Sequence, residues 1–121
     1  MARQIVVVDD EQVLLDVVSD LLEMEGFSVV RVSRPQEVEH LQPHIDPCLF
    51  LIDIMLPGMS GVDLAKTLRD DGFPSTPMIA MSSSTDLVQR AERTRLFEET
   101  MAKPFDPDTL LSAVERHAGS T

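Results

Sequence analysis

The chain is short of cysteine, of basic residues and of long apolar runs, and each shortage removes a class of function. Cys48 is the single cysteine in 121 residues, so there is no internal disulfide and no cysteine cluster for zinc. Its place in an apolar run makes it an expected buried strand residue. Ten basic residues face 21 acidic ones, a formal charge of −11. A nucleic-acid footprint needs a basic face, so no direct nucleic-acid partner is expected. No apolar run approaches the roughly 20 residues that cross a bilayer, which excludes membrane insertion by a helix. The opening MARQIVVVDD has its apolar run cut by acids too early for a secretory leader, making the cytoplasm the expected compartment. Low-complexity tracts and linkers are absent too. The length suits one domain, expected over residues 1–118 with a short tail at 119–121.

What the chain does have is alternation. Short β-branched runs are followed by stretches at helical spacing, the pattern of βαβ units on a parallel sheet. Strands are expected at residues 5–8, 27–32, 49–52, 78–81 and 100–102. In the first helix the apolar face is read as Val13, Leu14, Val17, Val18, Leu21 and Leu22, with Gly26 as its end. Further helices are expected at 35–41, stopped by Pro43, and at 62–69. A polar helix at 86–96 has only Leu87, Val88 and Ala91 for a core side. The closing helix at 106–117 has Asp106 as N-cap, Pro107 at the first helical position, and Leu110, Leu111 and Val114 inward. The third strand, LFLI, is so apolar that both its faces should be covered. Five βα units with right-handed crossovers make an α/β, doubly wound, parallel five-stranded sheet.

In open α/β sheets ligands bind beyond the carboxyl ends of the strands. Here the first strand exits into Asp9 and Asp10, the third into Asp53, the fourth into Ser82 and the fifth into Lys103-Pro104. Three carboxylates, a hydroxyl and an ammonium therefore collect at one edge, an oxygen-rich set that suits a hard cation such as Mg²⁺. Three acids so close repel, and at least one should have a raised pKa without a cation. Such a site suits phosphoryl transfer with a carboxylate nucleophile, and Asp53, at the end of the central strand, is the candidate. Taken singly, Asp9-Asp10 reads as well as a helix cap, the 82–85 segment as a polar loop, and Lys103-Pro104 as a turn. Their joint placement at successive strand exits is what carries the reading. His40, His44 and His117 have no companion ligands at metal spacing and are read as surface or packing residues.

Four motifs, VVVDDE, LIDIMLPGMSG, IAMSS and AKPF, occur in order across nearly the whole chain, which on them resembles a receiver domain of bacterial two-component response regulators. The resemblance implies a flavodoxin-like strand order 2-1-3-4-5. It implies that Asp53 accepts a phosphoryl group from a phosphohistidine on a sensor histidine kinase or histidine phosphotransfer protein. Asp10 and Asp53 would bind Mg²⁺ (or Mn²⁺) directly, Asp9 through water, and Met55 through its backbone carbonyl. Ser82 would hydrogen-bond the phosphoryl oxygen and Lys103 would pair with it, while Pro57, Gly61 and Pro104 would shape the flanking loops. The output would be a downstream protein target or an output domain outside this sequence; a stand-alone receiver and part of a longer regulator both fit.

Two other functions compete. A phosphatase of the haloacid-dehalogenase type would place a second Asp two residues after the nucleophile, where this chain has Met55, so the expectation is not a turnover enzyme. A phosphorylation-independent interaction module would have no reason to keep three repelling acids beside a lysine. One position departs from the receiver pattern: Thr100 stands where the family carries an aromatic ring, three residues before the lysine, and the lead-in is Leu96-Phe97-Glu98-Glu99. A threonine cannot fill or vacate a ring-sized space. Output is therefore expected to depend on movement of the 82–85 loop and the 86–96 helix. NMR spectra of that segment should differ between the phosphorylated and free forms, and identical spectra would contradict this.

Overall fold

The computed structural model describes residues 3–41 and 45–118, apart from the Glu39 side chain. Pro43 as a helix stop, His44 and the 119–121 tail lie outside the described residues. The elements alternate throughout: β1 (Gln4–Val8), α1 (Gln12–Met24), β2 (Ser28–Val32), α2 (Gln36–Leu41), β3 (Pro47–Asp53), α3 (Gly61–Asp71), β4 (Met78–Ser82), α4 (Thr85–Thr94), β5 (Glu99–Ala102) and α5 (Pro107–Ala118). All strand pairs are parallel, in the order β2-β1-β3-β4-β5, as expected.

Period-2 alternation divides the sheet between two cores. Ile5, Val7, Leu49, Leu51, Ile79 and Met81 face α1 and α5. Val6, Val8, Phe50, Ile52 and Met78 face the other way, against Leu64, Ala65 and Leu68 of α3 and Val38 of α2. Leu49 through Ile52 are wholly buried, as a central parallel strand covered on both faces must be. Cys48, by contrast, is only half-buried, packed against the α1–α5 side.

The apolar face of α1 differs from the sequence reading. Leu15, Val18, Ser19 and Leu22 are the buried positions, whereas Val13 is 79% and Val17 50% exposed. At 3.6 residues per turn Val13 falls opposite Leu22, so six apolar residues cannot share one face. The stop after α1 is as expected. Gly26, at φ +95°, donates to Glu23 and Phe27 to Leu22, a paired C-terminal closure that needs a left-handed residue.

On the other face α4 is lightly anchored. Ala91 is its one fully buried residue, resting on Ile54 and Ala80, with Leu87 half-buried beside them. The helix also ends earlier than expected, because Arg95 adopts a left-handed conformation at φ 59°. The following turn is held by Arg69 of α3, which donates to the carbonyls of Thr76 (2.5 Å) and Leu96 (2.9 Å) and pairs with Glu98 at 2.8 Å.

At the closing helix, Asp106 accepts from the Thr109 amide at 2.7 Å, the expected N-cap. The far end of α5 is tied to β5 through Glu99, whose carboxylate accepts from Arg116 and lies 2.8 Å from His117 Nε2. The Arg116 hydrogen bond, against the opposing effect of burial and with help from His117, lowers the Glu99 pKa. A carboxylate with a lowered folded pKa stabilises the fold above its unfolded pKa of about 4.3 and loses that contribution as pH falls through the folded value. Glu99→Gln should therefore melt below wild type at pH 7, with the gap closing below about pH 4. A gap constant from pH 7 to pH 3 in thermal melts would show that the charge of Glu99 is irrelevant.

Candidate functional site

Parallel register brings the strand exits together. Val8 pairs with Ile52, so Asp9 leaves β1 beside Asp53, and Ser82 pairs with Ala102, so Lys103 leaves β5 beside β4. Asp9, Asp53 and Ser82 are buried at 1%, 3% and 1% exposure, while Asp10 faces solvent. One oxygen from each of Asp9, Asp10 and Asp53 lies within 4.8 Å of the others. The three acids expected at the strand exits are thus gathered at one point, with Ser82 at the end of the neighbouring strand.

Lys103 bridges the two buried acids. Its Nζ lies between the acids, donating to Asp53 Oδ2 at 2.8 Å and Asp9 Oδ2 at 2.9 Å. The second oxygen of each carboxylate is held by a backbone amide two residues on: Glu11 N–H to Asp9 Oδ1 and Met55 N–H to Asp53 Oδ1, both at 2.9 Å. Every oxygen of the two buried carboxylates therefore has a donor, which is what burial of charge requires.

Sequence reasoning missed one participant. Glu11 Oε1 accepts the third Lys103 hydrogen bond at 3.1 Å, from a side chain 64% exposed. The signal available was the third acid of the DDE run, which reads equally well as the residue before a helix.

Burial is the largest influence on Asp9 and pushes its pKa up; the Lys103 hydrogen bond and the Glu11 amide pull it down, and the Asp53 charge adds to the rise. A raised acid is expected here from carboxylate repulsion, but burial is the larger cause and the neighbouring Asp53 charge the smallest. For Lys103 burial disfavours the charge, but the hydrogen bonds and charges of Asp53 and Asp9 outweigh it and hold the ammonium above the usual lysine range.

The loop after Asp53 is built around two glycines. Gly58 turns the chain at φ +82°. Gly61 donates to the Ile54 carbonyl at 2.8 Å and packs so closely that a Cβ would lie 2.3 Å from the Asp53 carbonyl oxygen. Any side chain at Gly61 would displace the backbone that presents Asp53. Pro57, Met55 and Leu87 line a groove of about 470 Å³ beside Asp10. A second cavity, of about 370 Å³, is bounded by Glu11, Leu14, Ser83, Lys103, Pro104 and Phe105. The Ser82 hydroxyl accepts from the Ser84 amide at 3.1 Å, so its own proton is what it can offer a ligand. Ser84 in turn caps α4 by accepting from Leu87 N–H at 3.3 Å.

Thr100 lies on β5 opposite Ala80 and donates to Glu92 Oε1 of α4 at 3.1 Å. Where the family carries a ring, this chain has a polar tie between α4 and β5. The donor set of Asp9, Asp10 and Asp53, all hard oxygens, fits a divalent cation of the Mg²⁺ type.

A parallel sheet in this order, with acids at the β1 and β3 exits and a lysine at the β5 exit, defines the class of CheY-like α/β domains. The structure aligns with a CheY-like receiver from Methanospirillum hungatei at a TM-score of 0.88 and 24% identity, covering 98% of this chain and 94% of that one. It aligns with the response regulator TrrA of Thermotoga maritima, crystallised in complex with Mg(2+)-BeF, at a TM-score of 0.83 and 23% identity, covering 94% and 97%. In sequence, the family model of the response regulator receiver domain matches residues 5–115, and the chain belongs to that family. It is a receiver domain of the two-component system. The chain is 32% identical over 115 residues to the DNA-binding response regulator MtrA of Mycolicibacterium smegmatis, covering 94% of this chain and 50% of the relative. The chain thus spans about half the length of that relative.

Proposed function

We propose that this receiver accepts a phosphoryl group onto Asp53 from a phosphohistidine of a sensor histidine kinase or histidine phosphotransfer protein, and relays the signal through protein contacts. The observation that carries the reading is the shared Lys103: a buried carboxylate at the end of the central strand, bridged by one ammonium to a second buried acid, with an exposed third acid within 4.8 Å. In the transfer an Asp53 carboxylate oxygen attacks phosphorus, the P–N bond breaks as the P–O bond forms, and the imidazole leaves. Asp10 and Asp53 would hold Mg²⁺, or Mn²⁺, directly, with Asp9 through water and the Met55 carbonyl completing the protein ligands. The cation supplies charge neutralisation for the phosphoryl oxygens. Lys103 pairs with one phosphoryl oxygen and the Ser82 hydroxyl donates to another.

The role is signalling rather than turnover of external substrates, since the position two residues beyond Asp53 is Met55, an apolar side chain 57% exposed and unable to act as an acid or base. Among the described residues no helix is long and apolar enough to cross a membrane, which supports a cytoplasmic location. The direct output is a protein contact or an output domain beyond this sequence. The similarity to MtrA, a DNA-binding response regulator of about twice this length, supports the second.

The experiment is intact-mass spectrometry after incubation with a small-molecule phosphodonor. Wild type should gain one phosphoryl group in the presence of Mg²⁺, and Asp53→Asn should gain none. A wild type that binds Mg²⁺ yet stays unmodified by this donor and by a phosphorylated histidine phosphotransfer protein would favour a phosphorylation-independent interaction module.

A further inference from the structure

An ammonium has three N–H donors, and Lys103 spends all of them on carboxylates: Asp53 at 2.8 Å, Asp9 at 2.9 Å and Glu11 at 3.1 Å. For Lys103 to reach an oxygen of an incoming phosphoryl group, one of these bonds must be surrendered. The three differ greatly in what surrender costs. The side chains of Asp9 and Asp53 are 1% and 5% exposed, so stripping Lys103 from either leaves a carboxylate short of a partner inside the protein. Glu11 is 64% exposed, and water replaces the lysine at little cost.

We infer that Glu11 is a positioning residue for Lys103: it occupies the third ammonium hydrogen bond from the solvent side, and it is the partner that a phosphoryl oxygen displaces. This rests on the phosphoacceptor reading of Asp53. Glu11 sits at the mouth of the cavity that also exposes Lys103, Ser83 and Phe105, so its carboxylate can swing outward without disturbing the fold. It precedes α1 and its side chain caps no amide there, which leaves the Lys103 contact and the bulk solvent as its alternatives. Transfer moves the charge of Asp53 outward onto the phosphoryl oxygens. Lys103 follows that charge, and Glu11 is the anion that holds it back.

The consequence is competition between Glu11 and the phosphoryl group for one ammonium. Equilibrium binding of beryllofluoride, a tetrahedral phosphoryl mimic, reads this without any turnover and is followed by ¹⁹F NMR in the presence of Mg²⁺. Glu11→Gln should bind beryllofluoride about two- to fivefold more tightly than wild type, the range that loss of one exposed ion pair gives. Glu11→Asp separates position from charge, because it keeps the anion but is one methylene too short for the 3.1 Å contact. It should tighten binding as Glu11→Gln does. Glu11→Asp indistinguishable from wild type, or both variants unchanged, overturns the inference while leaving the phosphoacceptor reading intact. Failure of wild type itself to bind beryllofluoride with Mg²⁺ overturns the phosphoacceptor reading and this inference with it.

Discussion

The bridge from Lys103 to Asp9 and Asp53 is the constraint around which the rest is organised. Three acids bond one lysine, two of them buried at the end of an apolar sheet, and a fourth, Asp10, lies within 4.8 Å of those two. Carboxylates in such a place persist only when every oxygen has a donor. Lys103 supplies one donor to each buried acid, and the Glu11 and Met55 amides supply the other. Those amides are available because the chain turns sharply after β1 and β3, and the second turn is possible because Gly61 lets helix α3 start directly against the Asp53 carbonyl. Sheet register does the remaining work by setting β1, β3 and β5 so that residues 9, 53 and 103 converge.

Much of this was legible in the sequence because it follows from periods and exits. Alternation of β-branched runs with helical spacing gave five βα units, and the rule that ligands lie at the carboxyl ends of parallel strands selected Asp9, Asp10, Asp53, Ser82 and Lys103 without a structure. What was not legible depends on side-chain direction and reach. Val13 and Val17 were read as core because α1 carries more apolar residues than one face can hold, and Leu15 took the place nearest the sheet. The Glu11–Lys103 contact joins residues 92 apart in sequence, and the Arg69 brace reaches 27 residues to Leu96; neither leaves a local trace. Cys48 is half-buried between the buried Pro47 and Leu49, which its place in an apolar run does not reveal.

The same logic accounts for the unusual position. With Thr100 in place of a ring, α4 packs through its own small Ala91 on Ile54 and Ala80, and is fastened at two polar points. Its N-terminus connects through Ser84 to the Ser82 hydroxyl, and its C-terminal half connects through Glu92 to Thr100. A helix held by hydrogen bonds rather than by a deep apolar ridge is one that a change at Ser82 can shift at small energetic cost. On the proposed reading, that is a route from the phosphoacceptor to a surface element that does not call on an aromatic ring.

The central proposal is that Asp9, Asp10 and Asp53 hold a divalent cation beside the phosphoacceptor, so that its charge and that of Lys103 fall among the same carboxylates and repel each other. The most direct test is calorimetric titration of Mg²⁺ into wild type and Lys103→Met. The account predicts that removing the ammonium tightens Mg²⁺ binding, by about tenfold at moderate ionic strength. Equal or weaker binding in Lys103→Met would contradict it, since the ammonium and the cation would then not be drawing on the same carboxylates.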